Sequence, residues 1–471
     1  MKPETFEKTP VLQQPLFWAV GLLILNVLSK GLFLGSPDIG LDEPFTLFRA
    51  QKTYAELIND LAHNNHPPLF ESLVWVWLKV VGYNVAALRI LPMLLSSAAA
   101  LCIFQLGKKH FSLFVGVVAA LLFSFSNYHF YLSHELRSYP LFALVTTLNL
   151  GYYLGSLKIV QQKRYAWFMQ GVLQALLLYT HYFGAFVILS QLAHSLIVVR
   201  NRQVVISQIR AGVLTALLYI PQVWMVMGRW VDKVEGGHWL QSPSIAELFN
   251  VLSKFMNAPV LTVGAIIIGV VGGYFALKKE SKHQVSAVLF LFPLSFVFMW
   301  CVAQFLPIFQ DRYISFTTVA WFLFTAIALD RLPKWPKQVA TISLVVIMGI
   351  TVNYQPENGQ WTKELISLIN KHKQENTEVY VYPHWSIPCF SFHYNLSYFS
   401  DYLHTEDLLE EEGIHFIHTH EDPVVEQSLE KGLNVILINF EGPVSEKAKD
   451  FGHLSTQIFE KDRQGLLLIK P

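Results

Sequence analysis

Apolar positions along this chain fall into long unbroken runs, with neither the alternation of strands nor the one-sided faces of soluble helices. The runs lie at roughly 15–35, 85–106, 111–131, 138–157, 165–183, 184–199, 209–228, 259–277, 285–306, 314–330 and 338–354. Most approach the roughly 20 residues that a helix needs to cross hydrocarbon. The first follows a polar start, MKPETFEKTP, is too long for a signal h-region and has no clean small-residue cleavage site, so it reads as a retained span. One further apolar stretch, 68–83 (PLFESLVWVWLKVVGY), is short and carries Glu71 and Lys79. It reads as a helix lying at the membrane interface, with Trp75 and Trp77 as belt residues.

The pattern changes after residue 354. TKELISLINKHK predicts an amphipathic helix, EVYVYPHW a strand, VVEQSLEKG a helix ended by Gly432, NVILINF a buried strand, VSEKAKDFG another helix and GLLLIK a closing strand. Alternating helix and strand predicts a small α/β domain with a largely parallel sheet. The expected organisation is a polytopic α-helical membrane domain over 1–354, with about eleven transmembrane helices, and a soluble α/β domain over 355–471. No internal repeat, low-complexity segment, GxGxxG, P-loop or nucleophile elbow is visible.

Composition sharpens this. Hydrophobic residues make up 53% of the 471 and charged residues 15%, against about 25% charged in an ordinary soluble domain. That excludes a soluble enzyme, a disordered chain and a collagen-like one. Cys102, Cys301 and Cys389 are far apart, with neither a disulfide framework nor zinc spacing. The net charge of +1 conceals a split, because 355–471 carries 19 acidic and 9 basic residues. The basic residues of 1–354 punctuate the apolar runs; a nucleic-acid partner would call for one clustered face.

Counting Lys and Arg orients the spans. With the N-terminus cytoplasmic, the inner pieces 1–14, 107–110, 158–164, 200–210, 278–284 and 331–337 hold 16 Lys/Arg in 50 residues, and the outer pieces 36–84, 132–137, 229–258 and 307–313 hold 8 in 92. If 68–83 crossed, Lys108, Lys109 and every later basic loop would invert. The expected C-terminus is therefore outside, on the periplasmic or extracytoplasmic face.

The candidate chemistry gathers at that outer face. Asp42 and Glu43 open the first outer loop (PDIGLDEPFTLFRA). A carboxylate pair at a membrane mouth can take a proton from a hydroxyl while its neighbour positions substrate; the bland alternative is a helix start with Pro44 in its first turn. His63 and His66 (HNNHPPLFES) leave a divalent metal open without matching a zinc motif, against a polar turn forced by Pro67 and Pro68; no cofactor is assigned. SNYHFYLSHELRSYPLFA brings Glu135, Arg137 and Tyr139 to one turn, YTHYFG places His181 at a second, and LPIFQDRYISF places Asp311 and Arg312 at a third. Singly, each is an ordinary flanking residue. Together, Lys30, Arg89, Arg137 and Arg312 are cations on the side where few are expected, and Arg grips phosphate through its planar fork. A phosphate grip, a carboxylate base and an apolar bundle point to a lipid phosphate substrate.

The ordered motifs LDEPF (41–45), HPPLFESLVWVWLKVVG (66–82), ALRILPMLLSSAAALCIFQLGKKHF (87–111), SHELRSYPLFAL (133–144), THYFGAF (180–186) and DRYI (311–314) resemble the bacterial membrane glycosyltransferases of the GT-C type. That group includes protein O-mannosyltransferases, lipid A aminoarabinose transferases and lipopolysaccharide-core galacturonosyl transferases. The resemblance covers about residues 15–330. It implies inverting transfer of a sugar from a polyprenyl-phosphate carrier to a lipid, glycan or protein hydroxyl on the outer side of a bacterial inner membrane. It implies Asp42 as base with Glu43 beside it, carrier-phosphate contacts from Arg137, Arg312, Lys30 and Arg89, and substrate contacts from His66, Glu135, Tyr139, His181 and Asp311. The expected partners are the lipid-linked donor, membrane lipids and an envelope acceptor, with no nucleic acid. A transporter or flippase of lipid-linked precursors is the main competitor, yet it favours internal repeats and ionisable residues near mid-bilayer. A receptor with a ligand-binding tail would leave Asp42 dispensable.

Overall fold

A computed structural model describes residues 14–471 except 37, 41, 65, 158–164, 233–241, 279–281, 307, 357–360, 420–422, 446, 452–453 and 462–463. The basic cluster 158–164, most of the polar start and part of the 278–284 loop thus lie outside the described residues.

Each of the eleven apolar runs contains a helix. By length and composition, four helices can cross a membrane: Val85–His110, Arg202–Val223, Pro259–Leu277 and Lys282–Ala303. Leu113–Phe125 and Asn127–Ser133 form a fifth candidate, bent by 65°. Pro15–Gly31, Gly184–Val199 and Thr317–Asp330 are shorter apolar helices. The chain is a multi-pass helical membrane protein. The stretch proposed to lie at the interface is the helix Pro68–Val81, of 14 residues. At 1.5 Å per residue it reaches about 21 Å, short of the roughly 30 Å hydrocarbon core.

The chain forms two compact units. The first comprises 1–32, 58–71 and 89–354, and the second 33–57, 72–88 and 355–471.

In the first unit Thr317–Asp330 is buried along nearly its whole length, as expected of a helix apolar on every side. Its neighbour Pro259–Leu277 meets it with glycines. A Cβ on Gly272 would stand 2.1 Å from the Ala328 carbonyl oxygen, and one on Gly273 would stand 2.6 Å from the Phe324 ring. Small residues are what let two backbones approach so closely in lipid. At the bend, Ser126 Oγ donates to the Phe255 carbonyl (2.8 Å), Asn257 Nδ2 donates to the Phe125 carbonyl (2.8 Å), and Asn127 N donates to Asn257 Oδ1 (2.7 Å). The backbone groups freed by the bend are satisfied there, as membrane depth requires.

The second unit contains a five-stranded sheet in the order β2-β1-β3-β5-β4. Its strands are β1 (Thr377–Tyr382), β2 (Ile414–Phe416), β3 (Asn434–Asn439), β4 (Ser455–Lys461) and β5 (Gln464–Lys470). β1 pairs parallel with β2 and β3, whereas β3–β5 and β4–β5 are antiparallel. The sheet is therefore mixed, where the sequence suggested a largely parallel one. The reason is local: only residues 462–463 separate β4 from β5, and a parallel crossover needs a dozen residues or more. The helix expected over VSEKAKDFG is reduced to a 3-10 turn, Lys447–Lys449. Successive strand residues serve opposite cores. Val379, Val381, Ile436, Ile438, Leu466 and Leu468 pack on one face. Tyr380, Val435, Leu437, Leu467 and Ile469 pack on the other. Each fully buried aliphatic side chain contributes about 1.5–3 kcal/mol. β4 is the exposed edge and carries Glu460 and Lys461, charges that discourage pairing with another chain.

Candidate active site

The first unit holds a cavity of about 250 Å³ whose polar lining includes His66, Glu71, Arg137, Tyr139, His181 and Tyr313. Four breaks between helices deliver these groups, Tyr313 coming from the 3-10 turn Asp311–Ile314. Pro67 and Pro68 end the loop carrying His66 and start the helix that bears Glu71. The turn after Asn127–Ser133 presents Arg137, whose backbone N–H donates to the Glu135 carbonyl at 2.7 Å. His181 caps the C-terminus of Ala166–Thr180, its N–H donating to the Leu177 carbonyl.

Arg137 is 7% exposed and Glu71 3%, so the cavity brings a cation and a carboxylate into poor solvent. Arg137 Nη2 lies 3.5 Å from His66 Nε2. His181 stacks on Phe142 with ring centres 5.0 Å apart and lies 5.4 Å from Tyr313. Its Nδ1 accepts from the Phe183 N–H at 3.2 Å, which leaves any ring proton on Nε2. Arg312 follows Asp311 in the 3-10 turn Asp311–Ile314, and its charge acts on both Tyr139 and His181. The lining thus combines the Arg137 guanidinium, aromatic faces and the Glu71 carboxylate, and Arg312 is not among the lining residues.

Of the remaining sequence candidates, Glu135 accepts from Tyr131 Oη at 3.2 Å. Asp311 accepts from Lys254 Nζ at 2.8 Å and from its neighbour's N–H at 2.7 Å. Lys30 donates to Ser96 Oγ at 2.9 Å and lies over the Phe123 ring, and Arg89 is 1% exposed. None of these four lines the cavity. Glu71 and Tyr313 do line it and were not singled out as candidates. Glu71 registered only as a charge disfavouring a crossing, and Tyr313 only as part of DRYI. His63 Nδ1 contacts the Asn59 carbonyl at 2.9 Å. Among the described residues, no group of three or more His, Cys, Asp or Glu is placed to hold a metal.

The carboxylate pair belongs to the second unit. Asp42 and Glu43 begin the helix Asp42–Ala50, where the positive end of the helix dipole favours carboxylates. Glu43 is buried and its Oε2 accepts from the Gly40 N–H at 2.8 Å, so its side chain fastens its own helix start. Asp42 is half-buried.

A family model described as dolichyl-phosphate-mannose-protein mannosyltransferase matches residues 65–225, about a third of the chain. No curated protein sequence matches. Among solved structures, ArnT from Cupriavidus metallidurans in the apo state is similar with a TM-score of 0.65 at 11% identity, over 96% of this chain and 97% of that one. The same protein bound to undecaprenyl phosphate gives 0.63 at 12% identity, over 96% and 98%. The archaeal oligosaccharyltransferase AglB from Archaeoglobus fulgidus, in complex with an inhibitory peptide and a dolichol-phosphate, gives 0.55 at 11% identity, over 92% and 70%. The fold is that of the GT-C membrane glycosyltransferases, as the motif order led us to expect.

Proposed function

We propose that this protein is a polyprenyl-phosphate-sugar-dependent glycosyltransferase working on the outer face of a bacterial inner membrane. The acceptor is a lipid, glycan or protein hydroxyl. The observation that carries the reading is the cavity where Arg137 shares a buried lining with Glu71, Tyr139 and His181, in a fold similar to one recorded with undecaprenyl phosphate. The planar fork of an arginine suits the oxygens of a carrier phosphate.

In the proposed reaction the acceptor oxygen attacks the anomeric carbon as the bond from that carbon to the carrier phosphate breaks. Displacement from the opposite side inverts the configuration. Asp42 takes the hydroxyl proton as the new bond forms, because the hydroxyl is too weak an acid to ionise beforehand. The lipid leaves as a phosphate monoester, and Arg137 and Arg312 stabilise the charge that builds on it. Glu43 holds the loop that carries Asp42. Tyr139 and His181 supply surfaces against the sugar, and His66 supports Arg137. The proposed topology has eleven spans, the N-terminus inside, the helix Pro68–Val81 at the outer interface and residues 355–471 outside. The decisive experiment deletes the gene, identifies by mass spectrometry the envelope glycan or glycoprotein that disappears, and asks purified protein to remake it from a lipid-linked donor. An unchanged envelope, with no transfer from any polyprenyl-phosphate sugar, would refute the reading.

A further inference from the structure

The second unit joins the segment 33–57 to the C-terminal region 355–471, which places the Asp42 loop among side chains of the tail. Asp38 is gripped twice by the start of the helix Thr362–His372. Its Oδ2 accepts from the Lys363 N–H at 3.1 Å, and its Oδ1 pairs with Lys363 Nζ at 2.7 Å. The carboxylate is only 9% exposed, so the tie is partly dry and stronger than a surface pair. On the helix Ile387–Tyr394, the His393 ring has Asp38, Glu43 and Lys363 within electrostatic reach. On that helix Cys389 is buried, with Asp38 and Glu43 the nearby charges, and burial pushes its thiol up to about 12. Farther along, Phe45 packs on Trp385 at 5.9 Å, and Gln51 Nε2 donates to the Phe399 carbonyl at 2.9 Å. The loop thus lies against tail helices from Asp38 to Gln51.

We propose that the C-terminal region is a working part of the catalytic apparatus, in which Lys363 acts as a positioning residue that fixes the segment 38–43 and, through it, Asp42. The inference rests on the reading of Asp42 as base. Lys363 holds Asp38 by its backbone N–H and its ammonium at once, four residues before Asp42. A displacement of about 1 Å at a reacting group costs on the order of a hundredfold in rate, so a loose loop would be felt even with Asp42 intact.

The test uses the full-length protein in detergent and a gene-deletion strain. Lys363→Met and Asp38→Asn each remove the ion pair, and Lys363→Arg retains the charge. Amide exchange over 38–43 should accelerate at least tenfold in the first two variants, with exchange in β3 unchanged and with wild-type behaviour restored in Lys363→Arg. In complemented cells, the glycan that disappears with the gene should fall about tenfold to a hundredfold for the first two variants and recover with Lys363→Arg. Unchanged exchange in both variants overturns the tether. Faster exchange with a wild-type glycan yield overturns its catalytic role. Asp42→Asn in the same strain separates the two ideas: a wild-type yield there refutes the base assignment, while the exchange data still judge the tether.

Discussion

Arg137 Nη2 and His66 Nε2 approach to 3.5 Å inside one cavity. A guanidinium can only donate, so the imidazole nitrogen facing it must accept. The contact helps orient the guanidinium, whose planar fork suits phosphate oxygens.

Replacing Arg137 or Arg312 by Ala should therefore weaken binding of undecaprenyl phosphate by about 1.5–3 kcal/mol, the range for hydrogen bonds to charged groups. Titration of the purified protein with the carrier, in nanodiscs, measures it. Equal affinity in both variants and the parent would remove the phosphate assignment.

Asp42→Asn should abolish transfer while expression, detergent stability and carrier binding persist. A general base typically accounts for 10²–10⁴-fold, which a single-turnover assay resolves. Near-parental turnover would transfer the role to another carboxylate, with Glu71 first in line because it lines the cavity.

Accessibility labelling tests the orientation. Lys334 and Glu430 are exposed, and the proposed topology puts them on opposite sides. Cysteines introduced there, in a background where exposed Cys301 is replaced, should react from the cytoplasmic and outer sides respectively. Reaction of both from one side would break the assigned parity, and with it the grouping of Asp42, Arg137, His181 and Arg312 on one face.

Acid should loosen the tail through Glu412. Tyr394 Oη and Tyr398 Oη donate to its two carboxylate oxygens, the second at 2.5 Å, and Lys373 Nζ lies 4.0 Å away. These hydrogen bonds, with the Lys373 charge, hold Glu412 below the usual carboxylate range. A depressed carboxylate contributes fully above its unfolded value of about 4.3 and progressively less as pH falls through the folded one. Replacing both tyrosines by Phe should make the tail lose its near-UV circular dichroism at higher pH than the parent. Superimposable acid curves would assign the clamp no energetic role.

The helices were legible because apolar runs of bilayer length admit few alternatives. Each run contains a helix, but length does not separate Pro68–Val81 from the runs read as spans, since Thr317–Asp330 also has 14 residues. The tail was half legible. Buried strands β1, β3 and β5 announce themselves as apolar runs, whereas β2 is three residues long and β4 is an exposed edge of mixed polarity. Missing those two strands concealed the antiparallel half of the sheet. In the site, Arg137, His66, Tyr139 and His181 stood out by type and position. Glu71 did not, because inside an apolar helix it signalled only a cost. The association of Asp38 with Lys363, 325 positions away, leaves no trace in local pattern.

The 65° break after Phe125 also bears on the surrounding lipid. Leu113–Phe125 has 13 residues and so reaches only about 20 Å along its axis. Hydrogen bonds at Asn127 and Asn257 hold the bend. A straight span answers a thicker or thinner bilayer by tilting; an element bent and tied in this way has less scope to do so.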